Sequence, residues 1–184
     1  MKKSGLLDGP VVTVPEILSA KDQRVQRRVA AQQRHHLPSL TMTIVMPGAI
    51  KTCALSLLLA DQARTAIDRS FKQQGWSYET VWTGEVASGP ECLYLVDATP
   101  ETLKRAMVAI EVSHPLGRLW DLDVHSAQGE GLSRKQVGFP PRKCLLCDEE
   151  AHACARSRAH TIEELREGMK AIVTGWQPED SEHR

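Results

Sequence analysis

The sequence has few aromatic residues, no net charge and no long hydrophobic run. Phe, Trp and Tyr make up 4% of the 184 residues, and 23 Lys plus Arg balance 23 Asp plus Glu. Nucleic-acid-binding proteins are usually basic and often carry aromatic stacking surfaces, so no nucleic-acid partner is expected. The longest apolar stretch, CALSLLLADQA, is interrupted by Asp61 and falls short of the roughly 20 residues of a membrane span. We therefore expect no membrane association.

Cysteine is also sparse, and its distribution is uneven. Three of the five cysteines lie within residues 144–154, whereas Cys53 and Cys92 are isolated and expected in the core. An odd, clustered set is more typical of reduced thiols or metal ligands than of a secreted disulfide framework. The N-terminus lacks the sustained apolar segment of a signal peptide. Together these features predict a cytoplasmic protein.

The length fits one domain, and the mixture of helix and strand patterns predicts an α+β fold with a mostly antiparallel sheet and flanking helices. We expect a flexible N-terminus at 1–10, a single domain at 11–175 with a cysteine-rich section at 144–160, and a polar tail at 176–184. Apolar periodicity, capping residues and turn signals give the elements. The predicted helices are 15–36, 51–74, one from Pro100 and one from Thr161, and the predicted strands are 39–46, 76–87, 91–97, 117–125 and 131–137.

The segment GRLWDLDVH (117–125) places two aspartates in an otherwise apolar strand. Strand side chains alternate between faces, so Asp121 and Asp123 share one face and Trp120, Leu122 and Val124 share the other. Two carboxylates this close repel each other unless a cation lies between them. Mg²⁺ takes oxygen ligands and is commonly shared with substrate phosphates. The pair therefore predicts a magnesium site for phosphoryl or nucleotidyl transfer, while a solvent-facing strand edge remains the alternative.

Candidate partners for the aspartates lie close by in the sequence. Gly117 permits close backbone approach, and Arg118 is placed to bind a phosphate bidentately. His125, on the aspartate face, is a candidate proton acceptor, as is His114 before Pro115. Histidines and basic residues are also common on solvated surfaces. Further basic residues follow on and after the predicted strand 131–137: Arg134, Lys135, Arg142 and Lys143.

The cysteine-rich section has metal-ligand spacing. Cys144, Cys147, Cys154 and His160 form the pattern Cys-x2-Cys-x6-Cys-x5-His, which would complete a structural zinc site. Buried thiols under a C-terminal helix and a redox pair are the alternatives.

The first predicted helix carries a basic face. Such a face is typical of solvated surface, and it would also suit an acidic docking partner such as a small carrier domain. Val25 and Val29 point away from the basic side chains, which are Arg24, Arg27, Arg28, Arg34 and His35.

Taken together, several motifs resemble a known family, the apo-citrate lyase phosphoribosyl-dephospho-CoA transferases, also called holo-citrate lyase synthases. The likeness covers about residues 11–173. It is carried by SHPLGRLWDLDV (113–124), FPPRKCLLC (139–147), CAR (154–156), PGAIK (47–51) and SGPE (88–91).

The resemblance implies a nucleotidyltransferase-type reaction. Family members transfer the 2′-(5″-phosphoribosyl)-3′-dephospho-CoA group from its triphosphate precursor to a serine of the citrate lyase acyl-carrier subunit, and pyrophosphate leaves. The resemblance also implies a nucleotidyltransferase-like fold and a Mg²⁺ held by Asp121 and Asp123, within a motif that includes Gly117 and Arg118. The Gly-Ser dipeptide that conventional nucleotidyltransferases place before their acidic pair is absent from this chain.

We assign the remaining site residues by inference from charge and position. Arg118 joins the aspartates as a catalytic candidate, and Glu111 and Glu130 are candidates for a third carboxylate. Substrate binding is expected from Gly117, Lys51, Arg134, Arg142 and His114.

Three other functions are compatible with parts of the sequence. The closest alternative is the same reaction on another acyl carrier, such as that of malonate decarboxylase. A non-catalytic assembly factor for citrate lyase would have no use for the aspartate pair. A zinc-dependent nucleic-acid module would depend on the cysteine cluster and the basic helix alone.

Overall fold

A computed structural model describes residues 5–176, and it confirms an α+β domain built on one antiparallel sheet. The four strands lie in the order β2-β3-β1-β4, so β4 is an edge strand. They are β1 (Ser39–Ile44), β2 (Tyr78–Val86), β3 (Gly89–Val96) and β4 (Trp120–His125). The helices are α1 (Val14–His35), α2 (Ala54–Gln74), α3 (Pro100–Ser113), α4 (Ala151–Ser157) and α5 (Ile162–Gly175). No helix among residues 5–176 has the length and apolarity needed to cross a membrane.

The main core lies between one face of the sheet and helices α2 and α3. The predicted apolar face of α2 is buried at every position, and Gly75 ends the helix in the left-handed conformation expected of a C-cap. Alternation along β4 also buries the predicted face, so this strand contributes its apolar side to the core. The buried residues from these two elements are Leu55, Leu59, Ala63, Ile67, Phe71, Trp120, Leu122 and Val124.

Helix α1 covers part of the other sheet face, with its arginines turned inward. Arg24 Nε and Arg27 Nη2 donate to the buried Glu91 carboxylate on β3, at 2.5 and 2.6 Å. Val25 and Val29, in contrast, face solvent with 48% and 37% exposure. Arg24 and Arg27 are thus neither purely solvated nor free of partners, because both guanidinium groups are used within the fold, and the docking role of the basic face stays a prediction.

The predicted strand at 131–137 does not form. Gly131 makes one isolated bridge to His125, and a 3-10 turn follows at Lys135–Val137. Gly129 and Gly138 adopt positive φ angles of 90° and 85°, which bend the chain on either side of this stretch. Arg134 consequently lies in a turn rather than on a strand.

The N-terminal segment is packed more closely than its composition indicates. Leu7 is buried, and its carbonyl accepts a hydrogen bond of 2.9 Å from Arg166 on α5. The Leu6 carbonyl accepts from the Leu55 amide, also at 2.9 Å. Leu6 and Leu7 thus contact α2 and α5, while the flexible terminus expected for 1–10 stays a prediction. Residues 1–4 and most of the polar tail, 177–184, lie outside the described part of the chain.

Candidate functional site

A cavity of about 1150 Å³ runs along the edge strand and brings together eight of the predicted site residues. Its floor is the polar side of β4, and its opposite wall comes from α4, α5 and the loop before them. Apolar side chains such as Val45, Ile162 and Leu165 line part of it. The predicted residues that line this cavity are Asp121, Asp123, Arg118, Arg134, Arg142, Cys144, Cys154 and His160, and the third-carboxylate candidate Glu111 lines it as well.

The two aspartates lie on the same face of β4, as alternation predicts. Thr43 and Thr41 on β1 are their cross-strand partners. Burial among the surrounding protein atoms raises the pKa of the Asp123 carboxyl, and the negative charge of Asp121 raises it further. Asp123 is nevertheless open to solvent through the mouth of the cavity, so a cation from solution has access to it. Two repelling oxygen donors at an accessible position fit a hard divalent cation.

Glu111 is fully committed to internal partners. The residue is only 3% exposed, and its Oε1 accepts from the Leu122 amide at 2.9 Å and from Arg142 Nη2 at 2.6 Å. Its Oε2 accepts from Arg134 Nη2. Glu111 therefore holds two arginines in place and is not available as a third metal carboxylate. Glu130 is exposed on the loop after β4 and does not line the cavity.

A buried lysine that sequence reasoning missed also enters the cavity. Lys104, on α3, is 5% exposed and donates from Nζ to the Leu122 carbonyl at 2.9 Å. Its charge counteracts the rise in the pKa of Asp123. The only sequence signal is its position. Lys104 follows Leu103 directly and therefore borders the core face of α3.

Side chains occupy the outer backbone groups of β4, where no further strand pairs. Leu122 exposes an amide and a carbonyl on this edge, and these bond to Glu111 and Lys104 respectively. Arg142 Nη1 donates to the Trp120 carbonyl at 2.7 Å. The cavity residues are thus attached directly to the backbone that carries the aspartates.

Two predicted substrate-binding residues lie outside the cavity lining. Lys51 donates to the Met46 carbonyl, and burial lowers its pKa. Gly117 is buried where a Cβ would come within 2.6 Å of the carbonyl oxygens of Ile110 and Glu111. The close approach that Gly117 permits is therefore to the end of α3, not to a substrate.

The two candidate histidines also fall outside the cavity lining. His114 stacks on Trp120 with ring centroids 4.4 Å apart, and its Nδ1 accepts from the Leu116 amide at 3.0 Å. Burial, together with the charges of Arg28 and Lys104, lowers the pKa of His125 to about 4. An imidazole with this pKa is a weak base, which is unfavourable for proton abstraction near neutral pH.

Arg118 joins the aspartate strand to the cysteine-rich section. Its Nη2 donates to the carbonyl of Lys143 and, at 2.6 Å, to that of Cys144. Burial lowers the pKa of Arg118, and the neighbouring charges of Arg142 and Arg134 add to this effect. Three cationic groups crowded beside two carboxylates form a site suited to a polyphosphate with its metal ion.

The four predicted zinc ligands converge. The ligand atoms of Cys144, Cys147, Cys154 and His160 all lie within 4.8 Å of one another, a grouping that can hold a metal ion. Cys147 Sγ is 3.5 Å from Cys154 Sγ and 3.4 Å from His160 Nε2. Burial raises the pKa of the Cys144 thiol, but hydrogen bonds from the backbone N–H groups of Leu146 and Cys147 and with the Cys154 and Cys147 side chains outweigh it and bring the pKa to about 7. Cys53 and Cys92 are buried elsewhere, as expected.

Comparison with known proteins identifies the family. Residues 12–176 match the family described as apo-citrate lyase phosphoribosyl-dephospho-CoA transferase. Proteins of that name from Escherichia coli O9:H4 and from Shigella boydii serotype 18 are 39% and 38% identical over 162 residues, which cover 88% of each chain. The protein therefore belongs to the family of apo-citrate lyase phosphoribosyl-dephospho-CoA transferases.

Proposed function

We propose that this protein attaches the 2′-(5″-phosphoribosyl)-3′-dephospho-CoA group to a serine of the citrate lyase acyl-carrier subunit. The donor is the triphosphate precursor, and the second product is pyrophosphate. Family membership supports the group and the acceptor. The observation that carries the chemistry is one cavity that places the open carboxylates of Asp121 and Asp123 beside several arginines, among them Arg118, Arg134 and Arg142. This charge arrangement suits a triphosphate bound with a cation.

The transfer is a displacement at the α-phosphorus. The serine Oγ forms a new bond to phosphorus, the bond from phosphorus to the pyrophosphate oxygen breaks, and the hydroxyl proton is released to solvent through the cavity mouth. Arg118, Arg134 and Arg142 bind the phosphates and balance the charge that develops on the departing pyrophosphate. The nucleophile belongs to the carrier, so the enzyme's task is to bind and orient the two substrates.

We assign a Mg²⁺ site to Asp121 and Asp123. Carboxylate oxygens are the donors that Mg²⁺ prefers, and the mutual repulsion of the pair favours a bound cation. When bound there, the ion would supply positive charge to the phosphates of the donor. Glu111 does not complete this site, because its oxygens already bind Arg134, Arg142 and the Leu122 amide.

We assign zinc to the cysteine–histidine cluster. Three thiolates and one imidazole form a closed tetrahedral donor set, which is the usual composition of a structural zinc site. The backbone N–H groups directed at Cys144 stabilise a thiolate, the form that binds metal. Cys144, Cys154 and His160 border the cavity, but four protein ligands would leave the ion no open position for a substrate, so we give it no chemical role.

Intact-mass measurement of the apo carrier tests the transfer. The carrier is incubated with this protein, the triphosphate precursor and Mg²⁺, and the expected result is a mass gain equal to one phosphoribosyl-dephospho-CoA group. A carrier Ser→Ala variant should gain nothing. Omitting Mg²⁺ is the preferred metal control, because a general chelator such as EDTA would also remove zinc.

Two results would overturn the proposal. No mass gain, together with stable binding of the carrier, would indicate an assembly factor instead of an enzyme. A gain on a malonate decarboxylase carrier but not on the citrate lyase carrier would keep the chemistry and reassign the acceptor.

A further inference from the structure

The cysteine–histidine cluster is mechanically connected to the substrate cavity. Arg142 lies two residues before Cys144 and bonds to Trp120 on β4 and to Glu111. Arg118 reaches back from the start of the strand to the carbonyl of Cys144 itself. Two of the proposed phosphate-binding arginines therefore have their positions tied to the backbone of the cluster.

The chain around the cluster has almost no apolar core of its own. Between residues 138 and 168 the buried residues are Cys144 and Cys154, both members of the cluster. Of the two neighbouring leucines, Leu146 is 38% exposed, and Leu145 is only partly buried where it packs against the main core. Segments that bury so little apolar surface usually need a disulfide or a metal to become ordered.

Local backbone contacts bring the ligands together but do not fix the segment to the sheet. The Cys144 amide donates to the Glu149 carbonyl at 2.7 Å, and the Ala151 amide donates to the Arg142 carbonyl at 2.9 Å. These bonds close a loop that starts at Arg142, and α4 follows it. The sulfur of Cys154 on α4 and the ring of His160 beyond it then meet Cys147 at the tip of that loop.

We propose that zinc in this cluster is a clamp that positions Arg118 and Arg142, so that the metal controls phosphate binding and takes no part in the chemical step. The inference deepens the proposed function and depends on the assignment of zinc. Without the ion, the loop from Arg142 to Ala151 loosens, and the two arginines lose their fixed geometry in the cavity.

Two ligand variants and one matched control test the clamp. Cys147→Ser removes the exposed thiol without opening a hole in the core, and His160→Gln removes the imidazole. His152→Gln is the control, because His152 lies on the same cavity wall outside the cluster. The measurements are zinc content per chain, steady-state kinetics with the precursor, calorimetric affinity for inorganic tripolyphosphate, and hydrogen exchange of the amides of Cys144 and Ala151.

Wild type and His152→Gln should hold one zinc per chain. Both ligand variants should bind zinc at least about 100-fold more weakly, since they lose a direct ligand. Their KM for the precursor should rise about 10-fold while kcat at saturation changes less than about twofold, the pattern of lost uniform binding. Tripolyphosphate affinity should fall in parallel, and the two amides should exchange faster.

Unchanged KM and tripolyphosphate affinity in a variant that has lost its zinc would overturn the clamp. Wild-type protein purified with reduced thiols and no zinc would overturn the zinc assignment and the clamp together. Zinc-loaded protein that binds tripolyphosphate but transfers nothing would overturn the proposed transfer alone, because affinity and hydrogen exchange are measured without turnover.

Discussion

Two regions of the molecule are held in place in different ways. One is the sheet with helices α2 and α3, and the other is the segment from 138 to 168. In the sheet region, β1, β3, β4, α2 and α3 each contribute residues of zero exposure, and one continuous apolar cluster joins these five elements. In the C-terminal segment, order depends on sulfur and imidazole contacts and on arginine–carbonyl bonds. The first region supplies a rigid platform for the aspartates, and the second supplies an adjustable wall that carries Arg142. Stability and substrate affinity should therefore respond to different perturbations.

The largest difference between the two regions should come from removing a carboxylate charge on β4. Asp121→Asn and Asp123→Asn should each lower the transfer rate about 10³-fold or more, because the charge stabilisation of a metal-bound phosphate is lost. Zinc content should stay at the wild-type level, since neither residue contacts the cluster. The mass assay above, run with zinc analysis, makes the measurement, and Asp97→Asn at the exposed end of β3 is the control. Normal turnover in both variants would refute the metal role.

A cavity in the apolar core should affect the whole domain. Leu59 on α2 has no exposed surface, so Leu59→Ala should lower the free energy of unfolding by about 2–5 kcal/mol. Urea unfolding measured with and without a zinc-selective chelator should give the same loss. A loss that depends on zinc would mean that the two regions share one source of stability, contrary to the comparison.

Glu111 lies between the two regions. Removing its charge should weaken binding of the precursor more than it destabilises the sheet. Glu111→Gln leaves Arg134 and Arg142 without their shared carboxylate, so the KM for the precursor should rise about 10-fold, equivalent to about 1.4 kcal/mol. Glu130→Gln, on the exposed loop, is the matched control. A fall in kcat with unchanged KM would instead place Glu111 in the chemical step.

The smallest expected effect is on thermal stability, which the repulsion between Asp121 and Asp123 lowers in the metal-free protein. Because folding raises the pKa of Asp123, its stabilising contribution is complete below the ordinary pKa of an aspartate and is lost as the pH rises through the raised value. Asp123→Asn should therefore increase the Tm at pH 7 by about 1 °C, a small amount because solvent screens the exposed carboxylate. The difference should vanish near pH 3, and Mg²⁺ should stabilise only the wild type. Scanning calorimetry across pH decides this.

The sequence predicted features governed by local pattern and missed those governed by distant partners. The capping box at Thr161 and Glu164, the buried stripe of α2 and the two faces of β4 follow from spacing alone, and all three are present. The cluster ligands were also found from spacing. In contrast, the inward turn of α1 depends on Glu91, which lies 67 residues after Arg24, and no periodicity reveals such a pairing.

The sequence also could not show which candidate side chains already have partners within the fold. Glu111 resembles a metal ligand in the sequence because only the fold shows that two arginines and an amide already use its oxygens. Lys51 resembles a phosphate ligand until its bond to the Met46 carbonyl is seen. Lys104 was overlooked because a lysine beside the core face of a helix is normally solvated.

The outer side of β4 has a consequence beyond catalysis. A bare sheet edge presents unpaired amides and carbonyls that invite pairing with another chain, and it is a common start of aggregation. Here Glu111, Lys104 and Arg142 cover those groups at Trp120 and Leu122. The same side chains therefore guard the protein's solubility while they shape its cavity. A substitution chosen to weaken phosphate binding at Arg142 will also leave the Trp120 carbonyl on this edge without its side-chain partner.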